Sequence, residues 1–179
     1  MAPSASPQMS QPLRQTSISK SLTLRIIDEV DRMFPLETGG ILMGCSLADG
    51  GYEITEVIGP GPRARHTRTM FNPDHDYQVH QVSTIYHASR RRFTYLGDWH
   101  SHPGGGPHLS SLDRVALGVI STSPFARCCA PLMLLVVGGP SWNMRLWQWL
   151  PAEKPQCAEV QLHVFDDHVS KSENADPSE

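Results

Sequence analysis

The sequence predicts an α/β protein in which helices cover a central mixed β-sheet. Three segments place apolar residues at helical spacing. Several shorter segments between them are apolar or alternating, are bounded by glycine and proline, and are typical of strands. The chain has 179 residues, which suits one domain, and no internal linker divides it. We therefore expect a single α/β sandwich.

The three predicted helices differ in the signals that mark their ends. Apolar residues share one face over residues 22–34, and Ser19 or Ser21 can cap the start of this helix. The second helix is predicted over 74–92 and ends in three consecutive arginines, whose charge suits the negative end of a helix dipole. The third is predicted over 110–121.

The predicted strands lie between these helices and after the last of them. Glycines flank the first, which is wholly apolar, and the fourth is also wholly apolar, so both are expected in the interior of the sheet. The predicted strands cover residues 39–44, 52–58, 94–102, 132–137, 144–150 and 158–165.

Composition sets the limits of the domain and its environment. Residues 1–15 are rich in Ser, Pro and Gln and predict a disordered leader, residues 166–179 predict a polar acidic tail, and the domain is expected over 16–165. No segment has the roughly 18 apolar residues of a membrane span, and the N-terminus has no secretory signal. We therefore expect a cytoplasmic protein with no membrane partner.

Charge and cysteine content exclude two further classes. The net charge is -3, whereas a nucleic-acid-binding protein normally carries a basic excess, so no nucleic-acid partner is expected. The four cysteines form no CxxC pair, so the sequence predicts no cysteine zinc site.

The most informative part of the sequence contains two histidines separated by one serine. Residues i and i+2 of a strand lie on the same face, so His100 and His102 can reach one metal ion. A glycine-rich turn follows and lets the chain reverse; Ser110 then opens a helix, with Asp113 in its first turn. His100, His102 and Asp113 are therefore candidate ligands of a single ion.

Two imidazoles and one carboxylate leave the fourth tetrahedral position of a zinc ion for water, as in catalytic zinc sites. Zinc lowers the pKa of such water to about 7 and polarises a substrate carbonyl. The water still needs a base. Glu37, immediately before the apolar strand at 39–44, is the best candidate.

The spacing of these residues resembles the JAMM (MPN+) motif of the JAB/MPN/Mov34 superfamily. The matching features are a glutamate ahead of Gly-Gly-Ile-Leu-Met-Gly, then His-Ser-His-Pro, six residues, Ser, two residues and Asp. The resemblance covers about residues 20–150. It implies the MPN fold, a cytidine-deaminase-like three-layer sandwich with a central mixed sheet and flanking helices.

The resemblance also implies roles for the matching residues. His100, His102 and Asp113 would bind Zn²⁺. Glu37 would act as general base and then general acid, while Ser110 would hold the geometry and stabilise the tetrahedral oxyanion. Members of the family mostly hydrolyse the peptide or isopeptide bond after the C-terminal glycines of ubiquitin-like proteins.

The resemblance further implies the partners. These are the C-terminal tail of a ubiquitin-like protein and its conjugates, and enzymes of the conjugation pathway are further candidates. The chain is similar to small prokaryotic members encoded beside ubiquitin-like conjugation genes, including those of antiphage systems.

Other interpretations remain open. The same site suits a peptidase or amidohydrolase of small conjugates or sulfur-carrier proteins, and the same fold occurs in non-catalytic scaffolds. Ser110 and Asp113 also fit a helix-capping pattern, and Glu37 can be a solvated residue. His66 is either a substrate contact or part of a surface loop, and His108 is a competing ligand candidate.

Overall fold

The computed structural model describes residues 15–48, 50–152 and 156–167. The predicted leader, apart from Gln15, and the predicted acidic tail, apart from Asp166 and Asp167, lie outside the described residues. Three helices are present in this part of the chain, as the sequence predicts: α1 (Lys20–Met33), α2 (His75–Ala88) and α3 (Ser111–Thr122). The prediction that the second helix ends in the three arginines is wrong, because α2 stops at Ala88 and the chain turns there, with positive φ angles at Arg90 and Arg91.

Ten strands accompany the helices in the described part of the chain. In chain order they are β1 (Thr16–Ser19), β2 (Gly39–Ser46), β3 (Tyr52–Ile58), β4 (Arg65–His66), β5 (Phe71–Asn72), β6 (Thr94–Pro103), β7 (Leu132–Gly138), β8 (Trp142–Leu150), β9 (Gln156–Val160) and β10 (Leu162–Phe165). The strands β4 and β5 form a separate antiparallel hairpin, and the other eight form one mixed sheet.

The order of strands in the large sheet is β10-β1-β3-β2-β6-β7-β8-β9. Its two outermost strands, β9 and β10, are separated along the chain only by Gln161. The sheet must therefore curl until its two edges meet at this segment. The sequence predicts one strand over 158–165, and that prediction is wrong in this respect, because the segment divides and pairs with β8 on one side and β1 on the other.

The sheet separates two apolar cores, and β7 contributes to both. Leu132, Leu134 and Val136 belong to the core that includes the buried face of α1. Met133, Leu135 and Val137 alternate with them and pack with Leu117 of α3 on the opposite face. Because both faces of β7 are covered, its sequence is apolar throughout. Helix, sheet and helix form the three layers that the sequence predicts.

Two adjacent glycines let β2 approach its neighbours closely. A Cβ atom at Gly39 would lie 2.4 Å from the carbonyl oxygen of Trp99, and one at Gly40 would lie 1.9 Å from that of Ile58. Any larger side chain would push β2 away from β6 or β3. The glycines therefore fix the spacing between β2 and β6, the strand that carries both candidate histidine ligands.

The helices of the described residues include none that combines the length and the apolar character needed to cross a bilayer.

Candidate metal centre

Alternation along β6 places its side chains in two different environments. Trp99 and Ser101 are buried, and the indole N–H of Trp99 donates to the carbonyl of Ile58 at 3.0 Å. His100 and His102 point to the other face and line a cleft. The strand thus supplies ligands on one face and is anchored by the other.

The structure brings His100, His102 and Asp113 together as the sequence predicts. The two histidine Nε2 atoms lie 2.9 Å apart. The Oδ1 atom of Asp113 is 3.3 Å from Nε2 of His100, and its Oδ2 atom is 3.7 Å from Nε2 of His102. Among the described residues, these three form a group whose ligand atoms all lie within 4.8 Å of one another.

These distances fit a tetrahedral metal ion. Zinc–ligand bonds of about 2.0–2.1 Å place neighbouring ligand atoms about 3.3 Å apart. The two Nε2 atoms, 2.9 Å apart, and the pair formed by Asp113 Oδ1 and His100 Nε2, 3.3 Å apart, lie close to that value, and the second carboxylate oxygen, Oδ2, lies 3.7 Å from His102. Two imidazole nitrogens and a carboxylate oxygen are also a suitable donor set. The three residues can therefore hold a zinc-like ion with a position left for water.

The start of α3 holds Asp113 in place. Ser110 is the N-cap: its hydroxyl accepts from the Asp113 N–H at 3.2 Å, and the Ser110 N–H donates to Asp113 Oδ2 at 2.6 Å. Helix capping and metal ligation are therefore compatible here, since Oδ1 still faces His100. Asp113 therefore serves both as the N3 residue of the capping box and as a candidate metal ligand.

The surroundings of Asp113 and His102 favour the protonation states that bind metal. Burial raises the pKa of the Asp113 carboxyl, but hydrogen bonding and charge from His100 and the two Ser110 contacts outweigh it and hold that pKa well below its usual range. Burial and the charge of His100 lower the pKa of His102. An ionised carboxylate and a neutral imidazole are the forms that bind metal.

Glu37 lies in the segment between α1 and β2 and lines the same cleft. Burial raises the pKa of its carboxyl; the charge of His100 opposes this shift and that of Asp113 adds to it. Gly39 is paired with His100 in the antiparallel ladder, so extending this register places Glu37 alongside His102. The candidate base and the three candidate ligands thus line one cleft.

Ser101 joins the Glu37 segment to β6. The hydroxyl of Ser101 accepts from the Thr38 N–H at 3.0 Å, and the Ser101 N–H donates to the Thr38 carbonyl at 2.8 Å. Both residues have no exposed surface. The sequence pattern assigns Ser101 no role, because the partner that reveals it is 63 residues away.

The cleft has a volume of about 470 Å³ and lies between α3 and the β4–β5 hairpin. Leu112 lines it on the α3 side, and Met70 and Phe71 line it on the hairpin side. Leu112 and Met70 are 74% and 60% exposed, so the rim of the cleft is apolar and accessible. Such a surface suits contact with a protein chain.

Two other histidines take positions that the sequence leaves open. His66 lies within hydrogen-bonding distance of the Glu37 carbonyl, its Nδ1 atom being 2.9 Å from that oxygen. His108 is not part of the three-residue group found among the described residues; its ring lies 6.2 Å from that of Trp147. The structure therefore gives no support to His108 as a ligand.

Comparison with known proteins agrees with this arrangement. Residues 19–150 match the family of prokaryotic homologues of the JAB domain. A probable metalloprotease, y4qB of Sinorhizobium fredii, is 37% identical over 134 residues, covering 73% of this chain and 80% of that protein. A protein of Enterobacter hormaechei named CD-NTase/cGAS isopeptidase is 29% identical over 131 residues. This alignment covers 72% of this chain and 71% of that protein.

A solved structure supports the fold independently. The solution structure of DSY2949 from Desulfitobacterium hafniense aligns with a TM-score of 0.62 over 85% of this chain and 94% of that one. At 16% identity this likeness concerns the fold alone. The family match covers most of the chain, and the fold and the motif residues agree with it. The chain belongs to the prokaryotic JAB family of the JAMM/MPN metallopeptidases.

Proposed function

We propose that the protein is a cytoplasmic zinc metallopeptidase that hydrolyses the peptide or isopeptide bond at the C-terminus of a ubiquitin-like protein. The observation that carries this proposal is the convergence of His100, His102 and Asp113 in a cleft that also contains Glu37. The metalloprotease and isopeptidase relatives support the reaction type.

Each side chain has a distinct part in the proposed mechanism. His100, His102 and Asp113 would hold the zinc ion, which when bound would supply an acidified water and polarise the scissile carbonyl. Glu37 accepts a proton from the attacking water at its carboxylate and passes it to the amine nitrogen as the C–N bond breaks. The Ser110 hydroxyl donates to the carbonyl oxygen as negative charge develops there.

The Ser110 hydroxyl can take this part without losing its place in the helix cap. It accepts from the Asp113 N–H through an oxygen lone pair, and its own hydrogen stays available for donation. Ser110 is exposed and lines the cleft, so this hydrogen can reach a substrate oxygen.

The cleft suits an extended, slender tail. Its walls present Leu112 and Ala116 on the α3 side and Met70 and Phe71 on the hairpin side. Apolar contacts hold a chain between two such walls, while small residues at the scissile bond let the carbonyl approach the catalytic groups. A glycine-ended tail of a ubiquitin-like protein or of its conjugate has this form, and enzymes of the conjugation pathway are the proposed source of such conjugates.

The relatives favour a second candidate substrate. Two of them carry the name CD-NTase/cGAS isopeptidase, which connects their reaction to conjugates of CD-NTase proteins. A CD-NTase conjugate presents the same chemistry, an amide bond after an exposed C-terminal tail. A non-catalytic scaffold role is disfavoured, because this chain has the complete donor set and the base.

Substitution of the proposed base tests the reaction. Glu37→Gln keeps the shape of the side chain but cannot accept a proton, so the variant should retain zinc and lose at least ~10²-fold in kcat, as expected for a general base. The probes are ubiquitin carrying a fluorescent amine at its C-terminus and a CD-NTase carrying a fluorescent protein at its C-terminus.

The matched control is Glu56→Gln, the same chemical change on β3 outside the cleft. Full activity in the Glu37 variant would remove Glu37 as the base. Failure of the zinc-loaded wild-type protein to cleave either probe would contradict the proposed substrate class, and cleavage of one probe only would identify the tail it recognises.

A further inference from the structure

The backbone of Glu37 is held by the β4–β5 hairpin. The Glu37 N–H donates to the carbonyl of Thr67 at 2.7 Å, and the Glu37 carbonyl lies 2.9 Å from the ring Nδ1 atom of His66. A carbonyl oxygen only accepts hydrogen bonds, so Nδ1 of His66 carries the proton. Both polar groups of the Glu37 backbone are therefore bound by neighbouring residues of one hairpin.

The next residue is held from the opposite direction. Both backbone groups of Thr38 bind Ser101 on β6. Glu37 thus lies between two elements. One is the strand that carries the candidate histidine ligands, and the other is the β4–β5 hairpin, which is separate from the sheet that contains β2 and β6. The Glu37 backbone is therefore fixed by both attachments.

The hairpin is itself well anchored. The His66 ring packs against Phe71 with centroids 5.4 Å apart and planes inclined by 31°. The Thr67 N–H and hydroxyl both donate to the Met70 carbonyl, each at 2.9 Å, and close the turn. Upstream, the Arg63 guanidinium binds the carboxylate of Asp74, the N-cap of α2. His66 is therefore presented to Glu37 from a fixed support.

We propose that His66 is a positioning residue for Glu37, holding the backbone carbonyl of the proposed base through Nδ1–H so that the carboxylate stays in the cleft with His100, His102 and Asp113. This inference rests on the proposed function. The same hairpin lines the cleft through Thr69, Met70 and Phe71, so the segment that would contact substrate also fixes the base. His66 acts through Glu37 and does not itself transfer a proton to substrate.

Three substitutions separate this role from simple packing. His66→Phe keeps a ring against Phe71 but removes the donor. His66→Asn places an amide nitrogen close to the position of Nδ1 and restores the donor without the ring, whereas His66→Gln places it farther out, near Nε2. If the hydrogen bond positions Glu37, His66→Asn should keep most of the wild-type turnover, whereas His66→Phe and His66→Gln should lose it.

The expected result is a loss of kcat by roughly tenfold to a hundredfold in His66→Phe, because small displacements of a catalytic group have effects of this size. The KM for the ubiquitin or CD-NTase probe and the zinc content should stay unchanged. Hydrogen exchange gives a second measurement that needs no substrate, since the Glu37 amide should exchange faster in the Phe variant and regain protection in the Asn variant.

The outcomes distinguish this inference from the proposed function. An active wild-type enzyme with equal kcat and equal Glu37 exchange in His66→Phe would overturn the role of His66 and leave the peptidase assignment intact. A zinc-loaded wild-type protein that cleaves neither probe would overturn the proposed function. If the Phe variant does not fold, a donor-restoring Asn variant with slow turnover and fast exchange would equally reject the proposal.

Discussion

Ser101 lies in the chain between the candidate ligands His100 and His102, is buried, and binds the backbone of Thr38. Substitution by alanine would leave the Thr38 N–H without its partner in the interior. A buried donor left in this state destabilises a protein by about 1–3 kcal/mol. We therefore expect Ser101→Ala to unfold at lower urea concentration and its Thr38 amide to exchange faster.

The control for Ser101 is Ser121→Ala on α3. Its hydroxyl donates to a backbone carbonyl, that of Gly118 at 2.8 Å, but this bond lies within its own helix and Ser121 does not line the cleft that contains Glu37. The two variants should differ in zinc-dependent turnover, which should fall in the Ser101 variant alone. Equal turnover in both would show that Ser101 stabilises the fold without positioning the base.

Single residues also show which parts of the candidate site could be predicted from the sequence. His100, His102 and Asp113 could be predicted to meet, because strand alternation and helix capping are local rules. The contacts of Ser101 and His66 with the Glu37 segment could not, since each depends on how distant parts of the chain pack. Local patterns reveal ligands more readily than the residues that orient them.

At the scale of secondary structure, the start of α3 combines an observed role in helix capping with a proposed role in catalysis. Ser110 caps the helix, and in the proposed mechanism its hydroxyl also stabilises the oxyanion. Ser110→Ala should therefore lower the free energy of unfolding by about 1 kcal/mol, the usual loss for an N-cap. It should lower kcat by roughly 10²–10³-fold, the usual loss for one oxyanion donor.

A second substitution at the same position separates the effect on stability from the effect on turnover. Ser110→Asp would keep a capping acceptor but has no hydroxyl hydrogen to donate, so it should keep more stability than the alanine variant and still turn over slowly. Ser111→Ala, one position into the helix, serves as the neighbouring control. If the Asp variant regained full kcat, the proposed oxyanion contact would be wrong.

Secondary structure was predicted best where its pattern was long. The three helices and the strands β2, β3, β6, β7 and β8 follow apolar periodicity or apolar runs. The strand β1 has only four residues, and the β4–β5 hairpin pairs only two residues from each side, so neither gives a readable period. Their formation depends on tertiary neighbours, notably β10 and the Glu37 segment.

The whole molecule shows why the edges of the sheet could not be predicted. The parallel pairing of β1 with both β3 and β10 brings Thr16 beside Tyr52 and Leu162. The Thr16 N–H also donates to the Gln161 carbonyl at 3.0 Å, at the point where β9 passes into β10. No periodicity encodes this closure, since it follows from the accumulated twist and curl of eight strands.

Metal binding should stabilise the whole fold, because the ligands come from two separate elements. His100 and His102 lie on β6, while Asp113 lies on α3, so an ion bound by all three would bridge the sheet and the outer helix. An ion that binds only the folded state at a hundred times its Kd adds about 2.7 kcal/mol. Zinc should therefore raise the Tm, chelation by EDTA should reverse the shift, and His102→Ala should abolish it.

The control His108→Ala should respond to zinc as the wild type does, since His108 lies beside Trp147, apart from the three-residue group. A Tm that zinc leaves unchanged in the wild-type protein, or an equal loss of response in both variants, would mean that the ion binds elsewhere and that these three side chains do not form the centre.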